Sequence, residues 1–412
     1  MSTLTIITLL IIISAAFSYL NQRVIKLPGT IGVMTISVVV SVIILIIGKV
    51  SDKKTGFITA LANNIDFSKL LLDVMLGFLL FATALHFDYR KLKELRLPVM
   101  VLSTFGVLLS SIIFSGLFYL ASQVLSIDIP FIYCLLFGAI ISPTDPIAVA
   151  AIMKKSKIPP RLETIISGES MFNDAVGLIL FVTILGVATQ AQTDLSAKAI
   201  LILFTHEVIG GVVVGLIAGY VGYRLIRSIN DFQTIFLISI SIVLGISLLA
   251  DEVHASVPLA AITAGLVIGN KSFGTNNDSQ KFLHQIWQLM DEVLNTILFV
   301  MIGLQLILLP FLNNFWLIGL ISIVIILLAR FVSVSIPAFF LLGKKTNIYN
   351  LFIITWAGLR GGISVAMALS LPASPYKEVI LSVCYLIVIF SIIVQGLSLN
   401  KLVEGVADRT TK

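Results

Sequence analysis

The chain has 412 residues, 58% of them hydrophobic and 12% charged, with a net charge of +6 and a mean hydropathy of +1.08. That apolar surplus excludes a soluble globular protein, because a compact core cannot hide so much apolar surface. No basic–aromatic patch accompanies the positive charge, which excludes nucleic acid as a partner and leaves an orientation signal in a lipid bilayer.

Thirteen apolar runs read as spans of about 30 Å of hydrocarbon. They cover 3–20, 28–48, 69–86, 97–123, 130–153, 162–188, 199–223, 232–250, 256–270, 284–309, 314–342, 347–371 and 377–399. The expected fold class is an all-α polytopic membrane protein forming a single membrane domain, 1–412. The first run has no Lys or Arg ahead of it, so it lacks the charged start of a cleavable signal peptide and reads as a span. Loops after odd-numbered runs hold 19 Lys and Arg residues, against 6 on the other side, with Arg330 and Arg360 inside runs. By the positive-inside bias the N-terminus is outside and the C-terminus cytoplasmic, in a plasma or inner membrane. About a dozen residues follow Leu399, and no soluble regulatory domain is expected there.

Runs one to four are plain spans, with Asp73 near the outer end of the third and a basic connection from Asp88 to Arg96. Run five breaks at Ser142-Pro143-Thr144-Asp145-Pro146, where two prolines remove two backbone donors and clash with preceding carbonyls. Unpaired carbonyls within a bilayer need protein, water or an ion to satisfy them, so this break is expected to face a cavity.

Run six carries Gly168-Glu169-Ser170-Met171-Phe172-Asn173-Asp174 within an otherwise apolar helix. A carboxylate there costs about 2.5–3.5 kcal/mol on insertion scales, so it marks a functional candidate. At 100° per residue Ser170 and Asp174 share one stripe, and Glu169 and Asn173 the next. One helix face therefore offers a compact set of oxygen ligands.

The remaining polar clusters read either as solvated helix ends and loops or as the lining of an ion entrance, the first being preferred for the outer cluster and the two standing level for the inner one. His206, Glu207, Asp251, Glu252 and His254 gather at the outer face, and Asp291, Glu292 and Asn295 in the cytoplasmic third of run ten. Arg330, inside run eleven, needs an acidic partner, and Glu169 is the best available. Their depths differ, at about 12 Å and about 21 Å from the cytoplasmic side at 1.5 Å per residue, so the pairing requires tilt or reach. Run twelve is interrupted at Ala357-Gly358-Leu359-Arg360-Gly361-Gly362, where three glycines weaken the helix.

Two interrupted spans seven apart run in opposite directions, the pattern of an inverted-repeat transporter with its site near the midplane. Asp145, Asp174 and Arg360 each lie about 20 Å along their helices, which sets them at one depth. Half-helix ends carry about half a charge each, which Asp145 can neutralise at an N-terminus and Arg360 at a C-terminus. Cys134 and Cys384 fall inside apolar runs and read as small core residues. With four scattered histidines and no metal-ligand spacing, no cofactor is expected.

Ser-Pro-Thr-Asp-Pro at 142–146, Gly-Glu-Ser-Met-Phe-Asn-Asp at 168–174, Ala-Asp-Glu-Val-His-Ala-Ser at 250–256 and Gly-Leu-Arg-Gly-Gly at 358–362 occur in that order. Together they resemble the class 1 monovalent cation:proton antiporters, the NhaP and NHE type, across essentially the whole chain. The resemblance implies a thirteen-helix homodimer with inverted repeats and two crossed, unwound helices, five and twelve. It implies a core ion-transport bundle at about 97–188 and 314–399 and a dimerisation bundle at about 1–96 and 199–310. It maps the alternating Na⁺ and H⁺ site to Asp174 beside Asn173, with Ser170, the Thr144 carbonyl and Asp145 around the ion. It maps an intramembrane ion pair to Glu169 and Arg330. Some archaeal members carry a glutamate ligand on helix three, and Leu80-Phe81-Ala82-Thr83-Ala84-Leu85 offers none, so water is expected to complete the shell.

The expected function is exchange of Na⁺, or another alkali cation such as Li⁺ or K⁺, for H⁺. Asp174 would hold either species but never both, in a site open to one side at a time. Because Asn173 precedes it where a second acid could stand, one Na⁺ per H⁺ is expected. The alternatives are an intramembrane aspartyl protease, with Asp145 and Asp174 sharing a proton, and a passive cation channel.

Overall fold

A computed structural model describes residues 3–51, 67–145, 158–189, 197–271, 277–308, 315–342 and 348–410, helical apart from short turns and two interruptions. The helices are α1 (Thr3–Leu20), α2 (Gly29–Ser51), α3 (Phe67–His86), α4 (Arg96–Val124), α5 (Phe131–Ile141), α6 (Pro160–Thr189) and α7 (Ala197–Arg227). They continue with α8 (Phe232–Glu252), α9 (Val257–Lys271), α10 (Asn277–Gln305), α11 (Trp316–Leu342), α12 (Ile348–Trp356), α13 (Gly362–Ser370) and α14 (Lys377–Glu404). Among the described residues ten helices are long and apolar enough to cross a membrane, and α5 and α9 are shorter apolar helices. The far half of the fifth run with Pro146, and Lys53, Lys54, Lys154, Lys155, Lys157, Lys344, Lys345 and Lys412 of the charge count, lie outside the described residues.

Lipid offers no hydrogen bonds, so each span must satisfy its own backbone, and helices do so. Their outer surface stays apolar: Leu4, Phe339 and Phe340 are 74%, 74% and 79% exposed. Where the chain reaches water, polar caps appear. Asp231 opens α8 by accepting from the Thr234 amide at 2.8 Å and its hydroxyl at 2.6 Å, which hold its carboxyl below the usual carboxylate range.

Without a hydrophobic force between helices in lipid, close backbone approach does the work. Gly211, Gly215 and Gly219 form a ridge on α7 that meets Ser256, Ala260 and Ala264 of the α9 segment. On its other side α9 presents Gly265 and Gly269 to the backbone of Phe81 and Leu85 in α3. Small residues four apart thus stitch α7, α9 and α3 together. A Cβ on Gly215 would fall against the Ala260 carbonyl, so Gly215→Leu is expected to pry α7 from α9. Overpacking of this kind costs about 1–3 kcal/mol or more. A detergent melting curve unchanged from wild type would contradict this packing.

The buried apolar residues fall into two clusters. One gathers one face of α3 with α7, α8, α9 and the start of α10; the other gathers α1, α2, Phe67, Leu71, Met75 and Leu79 of α3, α4, α5, α11, α12, α13, α14 and the end of α10. Helix α6 belongs to both, through Met171, Ala175 and Ile179 on one side and Ile165, Ile166 and Phe181 on the other. The helix bearing Asp174 therefore lies between the two cores.

Both interruptions are breaks in the structure. After Ile141 the chain leaves the helix, and Ser142 to Asp145 are buried. Between Trp356 and Gly362 the backbone is irregular and buried from Ala357 to Gly361.

Candidate ion-binding site

The two breaks satisfy each other. The Asp145 amide donates to the Leu359 carbonyl at 2.7 Å, so the backbone of one interruption closes onto that of the other. In a continuous helix the Ser142 carbonyl would meet the amide of residue 146, but that residue is proline and has none. The Arg360 Nη1 group fills the gap, donating to the Ser142 carbonyl and, at 2.8 Å, to that of Pro143. A guanidinium thus sits on the negative end of α5. At the other break, Gly361 precedes α13, and a Cβ built on it would collide with the Asp145 carboxylate. The acid therefore lies against the positive end of α13.

A polar stripe on α14 holds the second break in place. The Arg360 amide donates to Ser391 Oγ at 2.8 Å, Ser391 donates to Gln395 Oε1 at 2.7 Å, and Gln395 Nε2 reaches the Trp356 carbonyl at 3.3 Å. A π-helical turn at Ser391–Gln395 accompanies this arrangement. The sequence reading missed these residues. The signal was a pair of polar side chains four apart in an apolar run.

Helix α6 contributes the remaining polar groups, and glycine lets the first break approach it. A Cβ on Gly177, one turn from Asp174, would overlap the Pro143 ring. Asn173 Oδ1 accepts from the Thr144 amide at 3.1 Å, Asn173 Nδ2 donates to Thr144 Oγ1 at 2.7 Å, and Thr144 Oγ1 meets Ser170 Oγ at 2.8 Å. All three side chains are buried. Asn173 thereby fixes the non-helical segment against α6.

Glu169 and Arg330 form a two-pronged pair at 2.5 and 2.9 Å, with the residues 0% and 3% exposed. Planar fork-to-carboxylate geometry of this kind is the strong form of an ion pair. The two long side chains bridge the depth mismatch of their sequence positions. Arg330 also passes close to Gly358, where a Cβ would lie 2.7 Å from Nε, so the pair abuts the second break.

Asp174 and Asp145 line one cavity, shared with Leu76, Leu79, Leu80 and Thr83 of α3, Pro143, Leu298 of α10, and Gly361 to Ser364. About 20 Å³ is open to the centre of a water molecule, room for one water or for a cation stripped of most of its shell. Ser170, Thr144 and Asn173 are not on this wall but bond to one another behind it. The sequence reading named none of the leucines, nor Ser364, as lining residues. Leucines on an all-apolar helix carry no such signal.

The other charges lie elsewhere. Asp251, Glu252, His254 and His206 are exposed, and Asp73 is exposed on α3. Asn295, buried on α10, bonds Asp291 through its carbonyl at 2.7 Å and its carboxylate at 3.0 Å. Cys134 and Cys384 are free and buried.

Interrupted helices, half-helix ends met by side-chain charges, and two acids on a small midchain cavity define an ion-handling membrane transporter. The sodium/hydrogen exchanger transmembrane family matches residues 10–405, and the chain belongs to that family. It is 38% identical to the Na⁺/H⁺ antiporter NhaP of Pseudomonas aeruginosa, covering 98% of this chain and 97% of that one. It is 29% identical to the Na⁺/H⁺ antiporter NhaH of Halobacillus aidingensis over 82% of this chain and 83% of the relative. The structure of the sodium proton antiporter MjNhaP1 from Methanocaldococcus jannaschii superposes with a TM-score of 0.78 at 20% identity, covering 98% of this chain and 99% of that one. That likeness concerns the fold. The membrane-transporter reading of the sequence and the all-helical fold class agree with these findings, and the protein is a transporter, not an enzyme.

Proposed function

We propose that this protein exchanges Na⁺ for H⁺ across a cell membrane, with Asp174 holding one or the other. The observation that carries the reading is the pair of carboxylates, Asp145 and Asp174, on one cavity beneath two mutually bonded helix breaks. Asp174 and Asp145 on the cavity, Arg360 on the first break and the Glu169–Arg330 pair beside the second carry formal charges that sum to a single negative one. One exchangeable charge matches one Na⁺ per H⁺ and no net charge movement. Asp145 completes the ion's surroundings, while Thr144, Ser170 and Asn173 hold the unwound segment and supply oxygens when it shifts. Glu169, Arg330 and Arg360 keep the unwound segments in register.

Access alternates by movement of a core bundle, about 97–188 and 314–399, against a bundle at about 1–96 and 199–310 that pairs two copies. Inverted repeats with helices five and twelve crossing at their breaks fit this motion. The charge distribution fits an outside N-terminus and a cytoplasmic C-terminus. Li⁺ and K⁺ offer the same ligand chemistry, so shell size decides among them. A cavity with room for about one water is too small for a peptide backbone, which disfavours proteolysis.

The test uses purified protein in vesicles with a pH-sensitive dye and each alkali cation in turn. An imposed Na⁺ gradient is expected to move protons without a current. Conductance independent of protons would make the protein a channel, and a current coupled to exchange would reject the one-to-one ratio.

A further inference from the structure

We infer that Ser364, in the first turn of α13, is an oxygen ligand of the transported cation. This deepens the exchange reading and rests on it. Ser364 lines the cavity with Asp145 and Asp174 and is 2% exposed. No side-chain hydrogen bond of its hydroxyl is found among the described residues, and the residue borders the cavity, where an ion or water can meet it.

Of the other hydroxyls near the acids, those of Thr144 and Ser170 are engaged, and Ser142, whose hydroxyl has no partner, is not on the cavity wall. Thr144 and Ser170 meet at 2.8 Å, and Asn173 Nδ2 occupies Thr144 Oγ1. Thr83, across the cavity, donates to the Leu79 carbonyl at 2.9 Å. Leu76, Leu79, Leu80 and Leu298 supply no oxygen. Alkali cations take only oxygen from this chain, and a cavity with room for about one water cannot complete a shell with solvent. Of the two hydroxyls on the cavity wall, Ser364 is thus the one left to meet the ion. Its place beside Gly361 and Gly362 sets it on the rim of the second break. The positive end of α13 does not repel the cation there, because the Asp145 carboxylate lies against it.

The experiment measures Na⁺-driven proton flux in proteoliposomes for wild type, Ser364→Ala, Ser364→Thr and Asp174→Asn. Ser364→Ala is expected to raise the KM for Na⁺ about tenfold, equal to about 1.4 kcal/mol, while the maximal rate falls by a smaller factor. Ser364→Thr, which keeps the hydroxyl, is expected to restore most of the affinity and change the ratio of KM values for Li⁺, Na⁺ and K⁺. An unchanged KM in Ser364→Ala overturns the assignment, as does equal loss of affinity in the alanine and threonine variants. If the alanine variant does not fold, Ser364→Cys carries the same test, since sulfur is a poor ligand for a hard cation. Flux that survives in Asp174→Asn would overturn the exchange reading itself. Silence in Asp174→Asn with a wild-type KM in Ser364→Ala would remove only the serine.

Discussion

Asp174→Asn is expected to bring cation-driven proton flux down to the leak of protein-free vesicles while leaving the protein folded. The side chain is 3% exposed on α6 and faces a small cavity, so an amide of the same shape fits without repacking. What disappears is the charge. At an effective dielectric constant of about 20 a unit charge about 4 Å from a cation contributes about 4 kcal/mol, or about three decades of affinity. The amide also cannot take up and release a proton. Both halves of the exchange therefore fail together. An elution profile like that of wild type, with flux gone, is the expected pair of results; flux within tenfold of wild type would mean that another group holds the ion.

Glu169→Ala is expected to destabilise the protein more than any surface change. It leaves the Arg330 guanidinium buried with no carboxylate, and breaking one side of a buried pair costs about 3–5 kcal/mol. Arg330→Met alone leaves the opposite orphan and is expected to cost about as much. The double variant Glu169→Leu, Arg330→Met replaces the pair with apolar groups and is expected to recover most of the melting temperature in detergent. Stability tracks the pair and not either residue. If the two single losses add in the double variant, the side chains act independently and the pair has no energetic meaning. If stability returns without transport, the pair also sets the position of the second break, which it touches at Gly358.

The polar chemistry was legible in the sequence because it is expensive in lipid. Glu169, Asp174 and Arg330 stand out against apolar helices, and the prolines and glycines at 142–146 and 357–362 announce where those helices stop. The neighbours of those groups were not legible. A helix that is apolar on every side has no amphipathic stripe to say which face meets a cavity, so Leu76, Leu79 and Leu80 on α3 and Leu298 on α10 gave no sign. Ser364 was hidden for another reason, since a lone serine in a span usually bonds its own helix. The engagement of Thr144 and Ser170 with Asn173 depends on two segments about 29 residues apart meeting side by side, which no periodicity encodes. The glycine ridge of α7 was present as a four-residue spacing, but its partner on α9 can be assigned only in three dimensions.

The joining of the two breaks, by the Asp145 amide on Leu359 and by Arg360 on Ser142 and Pro143, has a mechanical consequence. Separating them would strand several donors and acceptors in a dry interior, so they form one block. Across the cavity that block meets leucine side chains from α3 and α10, which hold nothing by direction. On the proposed exchange reading, the leucine wall is the side on which such a block can slide, while Ser68 of α3, which donates to the Ala366 carbonyl of α13 at 3.0 Å, is a bond that a shift has to break or carry along.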